Sequence, residues 1–377
     1  MWLYLTTFVF STFLFFISEN NQIRNFDKVF ALCGIIIPSL VAGFRAATVG
    51  TDLSLYGMRF YNYAYESRNF GDLVSILNST GEKNDIGFHM INYILSRFSN
   101  NYHLGLFFYS FIAISCVYFA MKKLNKLYGI SIWPGMLCYF FALYNFSLNG
   151  MKQSIAIAIV FLAITFLIEK NYKAYLILSM IAYFLHGSAL ITIPILFLYL
   201  ILRDGKTKIS SRKLYGVLFA LVIMFIIAVY LRSITNTLSQ IGLTRSEYMF
   251  YLQGGQFTQN NGIDIWTSGL LFIFLFIDLI FYKRSNVLIS DNTFFVFLML
   301  LGFMTSIATI IASYLGRINL YFTMINIAYQ LILVSHFDSK SKNIFTFIII
   351  ILVFVVWLHN IVLLNYNTTL PYVFSLN

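Results

Sequence analysis

Apolar residues run through this chain in long blocks broken by short polar stretches, from Phe8 to Leu364. A bilayer-spanning helix needs roughly 17 to 25 mostly apolar residues, and blocks of that order recur along the whole sequence. Runs such as Phe345 to Leu364 are continuously apolar. They lack the alternation of a porin-type strand and fit helices, whose backbone hydrogen bonds close internally. The expected fold class is therefore an all-α polytopic integral membrane protein, a single membrane domain over residues 1–377. Predicted spans are 2–18, 29–44, 104–121, 130–148, 151–168, 172–186, 188–202, 214–231, 266–282, 293–312, 317–336 and 343–364, twelve in all, with ten to twelve as the range. The weakest division is His186-Gly187, where two short spans read equally as one broken or re-entrant unit. Residues 2–18 have no basic segment before them and no small-residue cleavage site after Ser18, so they are expected to be a membrane helix rather than a signal peptide.

Composition agrees. The chain is 59% hydrophobic and 10% charged, with mean hydropathy +0.79, whereas soluble domains carry about one-quarter charged residues. A net charge of +11 raises the question of a nucleic-acid partner. The cations lie in loops between apolar runs, without basic stripes interleaved with aromatics, so no nucleic-acid partner is expected and the bilayer is. Cys33, Cys116 and Cys138 sit within apolar runs at no ligand-like spacing and read as small buried side chains.

Alternate loops collect Arg24, Lys28, Lys122, Lys123, Lys126, Lys170, Lys173, Arg203, Lys206, Lys208, Arg212, Lys213, Lys283, Arg284, Lys340 and Lys342 on one side. Those are sixteen of the 25 cations, all in short connections, and the positive-inside rule makes that side cytoplasmic. Both termini are then expected outside. So are two unusually long segments, 45–103 and 232–265. The first is aromatic and periodic, with Ile91, Ile94, Leu95 and Phe98 on one helical face, and is expected to form amphipathic helices at the membrane interface. The second is rich in amides and carries Arg245, suiting hydroxyl-rich ligands and a lid.

Candidate chemistry gathers on the same outer side. Arg45 follows a helix exit, and Gly50-Thr51 introduces Asp52, which should share a helical face with Tyr56 and Arg59. Asp85 precedes another helical pattern, with His89 four residues on. Both acids read equally as helix N-caps. Lys152, beside Gln153, opens an apolar helix, where a cation opposes the macrodipole unless an anion lies nearby; Arg317 is placed in the same way. His186 reads as a buried histidine with a satisfied hydrogen bond or as a site residue. Arg45, Lys152 and Arg317 together with Asp52, Asp85 and His186 suit a lipid-linked phosphate or diphosphate and the activation of a hydroxyl. No Walker motif, GxSxG elbow, HExxH or paired-Asp motif occurs, so ATP-driven transport, serine hydrolysis and zinc proteolysis have no sequence support, and any energy source must reside in the substrate.

From about Pro38 to about Gln330 the chain resembles the EpsG or Wzy-type family of bacterial polysaccharide polymerases. The resemblance rests on Arg45 with Gly50-Thr51-Asp52 and Tyr56, Asp85-Ile86-Gly87-Phe88, Asn149 with Lys152-Gln153, His186-Gly187-Ser188-Ala189, and Arg317 with Tyr321-Phe322. Two positions depart from the family pattern: Lys152 stands where arginine usually precedes glutamine, and Asp85 where glutamate is frequent. Lysine keeps the charge but cannot make arginine's bidentate fork.

The resemblance implies a glycosyltransferase-C-like membrane architecture in a bacterial cytoplasmic membrane, with its site facing the periplasm or cell exterior. It implies transfer of a growing glycan from undecaprenyl diphosphate to the nonreducing end of a new undecaprenyl-diphosphate-linked repeat unit, for O-antigen, capsule or exopolysaccharide. Arg45, Lys152 and Arg317 would hold the diphosphate and Asp52, Asp85 or His186 would act as base. Tyr56, Arg59, His89, Gln153, Arg245 and Tyr321 would contact substrate. A chain-length regulator is a candidate partner; no metal or other cofactor is expected. The competing expectations are a ligase that moves glycan onto a different acceptor, a flippase or secondary transporter, and a non-catalytic scaffold.

Overall fold

The computed structural model describes residues 1–20, 26–82, 84–203, 289–308 and 315–375. Expected spans 214–231 and 266–282 and the 232–265 loop lie outside the described residues. Among those described the regular structure is helical, and six helices are long and apolar enough to cross a membrane: Trp2–Asn20, Phe26–Gly43, His103–Tyr128, Met151–Ile168, Gly316–Ser335 and Ser339–Leu363. Shorter apolar helices cover Tyr172–Leu185, Gly187–Leu202 and Asn292–Ser306. The chain divides into two compact units, Met1–Thr192 with Phe337–Asn377, and Ile193–His336.

In the first unit, α1 (Trp2–Asn20) pairs with α2 (Phe26–Gly43). Pro38 lies inside α2 and cannot donate to the Gly34 carbonyl four residues earlier. A carbonyl orphaned in a membrane helix is costly. Ser11 of α1 supplies the missing donor through its hydroxyl. Tyr144 then donates to the Pro38 carbonyl at 2.6 Å.

A π-turn at Leu53–Gly57 leads into α3 (Met58–Glu66), followed by α4 (Phe70–Ser79) and α5 (Ile86–Ser96). The expected face on α5 divides differently from the pattern. Leu95 is buried with Phe88, His89 and Asn92, while Met90, Ile94 and Phe98 are exposed. The helix ends at Ser96, so Phe98 lies beyond it and the 3.6-residue period no longer positions that side chain.

The remaining helices of this unit are α6 (His103–Tyr128), α7 (Ile132–Tyr139), α8 (Asn145–Asn149), α9 (Met151–Ile168) and α10 (Tyr172–Leu185). A π-turn, Phe140–Tyr144, joins α7 to α8. An apolar helix with no polar face is stable only at the centre of a bundle or against lipid. Buried residues make up 83% of the α9 span but only 28% of the apolar stretch within Ser339–Leu363. The former is therefore the central helix and the latter a peripheral one.

Hydrogen bonds sort the helix termini into two ends. At one, the α1 residue Glu19 accepts from the Ile132 amide that opens α7 and from Asn125 near the end of α6. At the other, His103 Nδ1 of α6 lies 2.6 Å from the Gly43 carbonyl that ends α2. Chain direction then alternates as short loops in a bundle require.

The break expected at His186-Gly187 is present. His186 adopts an extended conformation (φ −160°) after α10, and a 3-10 turn, Gly187–Ile191, comes next.

The second unit contains α11 (Thr192–Arg203) from its second residue on, α12 (Ile289–Ala308) and α13 (Leu315–Ser335). Phe295 stacks on Tyr329 with centroids 5.0 Å apart, and Tyr329 donates to Asn292. The last helix, α14 (Ser339–Trp357), returns to the first unit.

Candidate functional site

The break between α8 and α9 organises one end of the first unit. Gly50 approaches it with φ +85°, and a Cβ there would lie 2.7 Å from the Leu148 carbonyl oxygen, so only glycine fits. The turn is latched by Asn149. Its Oδ1 accepts from the Thr51 hydroxyl and from the Asp52 amide, each at 3.0 Å. Asp52 is thereby set at the mouth of the π-turn, where its carboxylate accepts a hydrogen bond from the Tyr56 hydroxyl. Arg59 pairs with Glu82, its Nη2 2.8 Å from Oε1, and its guanidinium lies 5.5 Å from the centre of the Phe60 ring. This pair is well exposed and contributes at most about 1 kcal/mol.

Lys152 stands in the first turn of α9, and Asp85 supplies the nearby anion that position calls for. Its Nζ lies 2.7 Å from Asp85 Oδ2, with the two side chains 19% and 15% exposed. It also lies 4.9 Å from the centre of the Tyr56 ring and 5.6 Å from that of Phe60. Asp85 precedes α5 in the left-handed conformation (φ 55°, ψ 44°) and makes no side-chain cap hydrogen bond. Of the two readings open for Asp85, its carboxylate serves the ion pair and not the helix. Aspartate tolerates that backbone region better than most residues.

Arg45 is 1% exposed. Its guanidinium donates to the Ala42 carbonyl at 2.9 Å and to the Leu148 carbonyl at 2.8 Å. These carbonyls close α2 and α8, and helix C-termini favour a cation. Burial pushes its pKa down. Tyr372 of the C-terminal tail donates to Val41, while the Val373 carbonyl accepts from Ala46 and the Phe44 carbonyl from Ser375. Arg45 is therefore a buried clamp on two helix ends.

His89 is 1% exposed, with its ring 4.7 Å from that of Phe60. Burial first, and then the Lys152 charge, lower its pKa to about 4; the Asp85 carboxylate pulls the other way and is outweighed. It is a neutral group behind the ion pair. Gln153 is buried at the start of α9. His186 Nδ1 lies 2.6 Å from the Ser188 hydroxyl. Its helix is drawn against α5, since a Cβ on Gly87 would lie 3.0 Å from the Phe184 backbone.

Arg317, exposed, and Tyr321, buried, belong to α13 of the second unit. Arg245 lies outside the described residues. Among the described residues no three His, Cys, Asp or Glu side chains are grouped to hold a metal.

The first unit thus joins Asp52, Tyr56, Asp85 and Lys152, with Arg45 and His89 behind them. Phe60 and the tail residue Thr369 were not anticipated. Thr369 accepts from Tyr4 and from Asn145, which in turn accepts from Trp357. A small neutral residue hundreds of positions from its partners carries no sequence signal. Phe60, four residues from Tyr56, was open to the helical-face reading that found Tyr56.

These features define a polytopic α-helical membrane protein with an acid, cation and tyrosine cluster at one end of its helices. The model of the EpsG family matches residues 28–374, and the chain belongs to that family. Membership brings a glycosyltransferase-like role of the polysaccharide-polymerase kind and a membrane location. No curated protein and no solved structure matches the chain.

Proposed function

We propose that this protein polymerises lipid-linked oligosaccharide repeat units on the outer face of a bacterial cytoplasmic membrane. It moves the growing glycan from undecaprenyl diphosphate to the nonreducing end of a new undecaprenyl-diphosphate-linked unit. The observation that carries this reading is the Lys152–Asp85 ion pair, half enclosed by Tyr56 and Phe60 beside the Asp52–Tyr56 hydrogen bond.

Lys152 is a cation already matched by one carboxylate. A diphosphate brings more negative charge than Asp85 and competes for the ammonium. Transfer of Lys152 to the diphosphate leaves the Asp85 carboxylate free to accept a proton. The acceptor hydroxyl then attacks the anomeric carbon, and its proton passes to Asp85 or Asp52. The bond from that carbon to the diphosphate oxygen breaks, and the electron pair leaves on the lipid diphosphate beside Lys152. His186, one helix away, is the remaining candidate base. Arg317, with Tyr321, is a candidate second contact for the diphosphate, and Arg245, Arg59 and Gln153 for the sugars. Arg45 and His89 act by positioning.

The test supplies purified protein with purified lipid-linked repeat units and no other acceptor. A ladder of polymer is expected, and Lys152→Ala or Asp85→Asn should cut its rate by about a hundredfold or more. Full ladders from both variants would remove these residues from the site. Product only when a foreign acceptor is added would mark a ligase, and lipid movement without a new glycosidic bond a transporter.

A further inference from the structure

The end of the first unit opposite to this site carries a second charged feature. Lys122, Lys123 and Lys126 near the end of α6 face Leu162 and Phe166 of α9, and Glu169 just past its end, across a groove of about 390 Å³ that Phe119 also lines. Phe119 is 51% exposed, and its ring continues the apolar surface of a membrane-spanning helix. Within the groove Lys123 is matched: it pairs with Glu169 and lies 3.9 Å over the Phe166 ring. Lys122 and Lys126 are exposed, and no described carboxylate lies within ion-pair distance of either. The groove is thus apolar toward the bilayer, cationic at its rim, and in excess by two positive charges.

We propose that this groove binds the phosphate head group of an anionic phospholipid, with an acyl chain laid against Phe119 and Leu162. A basic pocket between membrane helices at the interface is suited to such a head group. The apolar lining distinguishes the occupant from a free phosphate, which would gain nothing from Phe119 or Leu162. The charge asymmetry of the loops assigns this end to the cytoplasmic leaflet. The site is independent of the transfer chemistry at the other end.

Native mass spectrometry of the full-length protein in neutral detergent tests this. Phosphatidylglycerol, phosphatidylcholine and inorganic phosphate are titrated separately. One retained phosphatidylglycerol is expected, held more tightly than phosphatidylcholine. Lys122→Gln with Lys126→Gln should weaken it about 25-fold, at about fivefold per cation. Leu162→Trp, which fills the apolar floor and leaves every charge in place, should weaken it as well. Unchanged phosphatidylglycerol affinity in the double variant would overturn the proposal. So would displacement of the lipid by millimolar inorganic phosphate, which would mark a site for the free anion.

Discussion

Asp85 and Lys152 are each held where an isolated residue of that kind is disfavoured. Asp85 lies in the left-handed region, which costs a non-glycine residue about 1 kcal/mol or more, and Lys152 stands at the positive end of a helix. Each offsets the strain of the other, so removing one should leave the second worse placed than in an ordinary helix. His89 reads the same environment through protonation. Its folded pKa of about 4 lies below the unfolded value near 6.5, so the unfolded chain takes up a proton that the folded chain refuses. The stability concerned is intact above pH 6.5 and is lost as pH falls toward 4, by about 3 kcal/mol in all. Melting curves between pH 7 and pH 4 should show His89→Gln losing less stability on acidification than the parent; parallel losses would contradict this account.

At the scale of elements, the decisive joint is the turn at Gly50 against the α8–α9 break. Gly50→Ala would face both a positive φ and a 2.7 Å approach to the Leu148 carbonyl. A loss of about 1–3 kcal/mol is expected, together with a fall in polymer formation, because the shift would pull Asp52 off Asn149. Asn149→Ala keeps the backbone and removes only the latch, and should lower turnover with a smaller loss of melting temperature. The helices themselves were legible in the apolar blocks, because a membrane span is specified by its own length and composition. The π-turns at Leu53–Gly57 and Phe140–Tyr144 were not, since the same residues make an α-helix elsewhere and only packing selects the extra residue in the turn.

Across the whole molecule, the C-terminal tail ties the first and last helices to the site. Thr368 accepts from the Gly50 amide at 3.0 Å, and Thr369 bridges Tyr4 and Asn145. A chain ending at Asn365 would lose these bonds and those of Tyr372, Val373 and Ser375, each contributing about 1 kcal/mol. Such a truncation should insert into the membrane, melt several degrees lower, and form little polymer. Polymerisation at the full rate would show that the tail does not hold the Arg45 loop in its working position.

Sequence by itself determined the helical membrane class and the approximate places of the long apolar helices, and it singled out Asp52, Tyr56, Asp85 and Lys152, because hydrophobic length and period are local properties of the chain. It also marked Lys152 as a cation in need of an anion. Tertiary structure alone decided that the anion is Asp85, 67 positions away, that Arg59 turns to Glu82, and that Arg45 is a buried clamp on two helix ends. Coulomb attraction and burial depend on distance in space, and no pattern along the chain encodes which helix ends will meet.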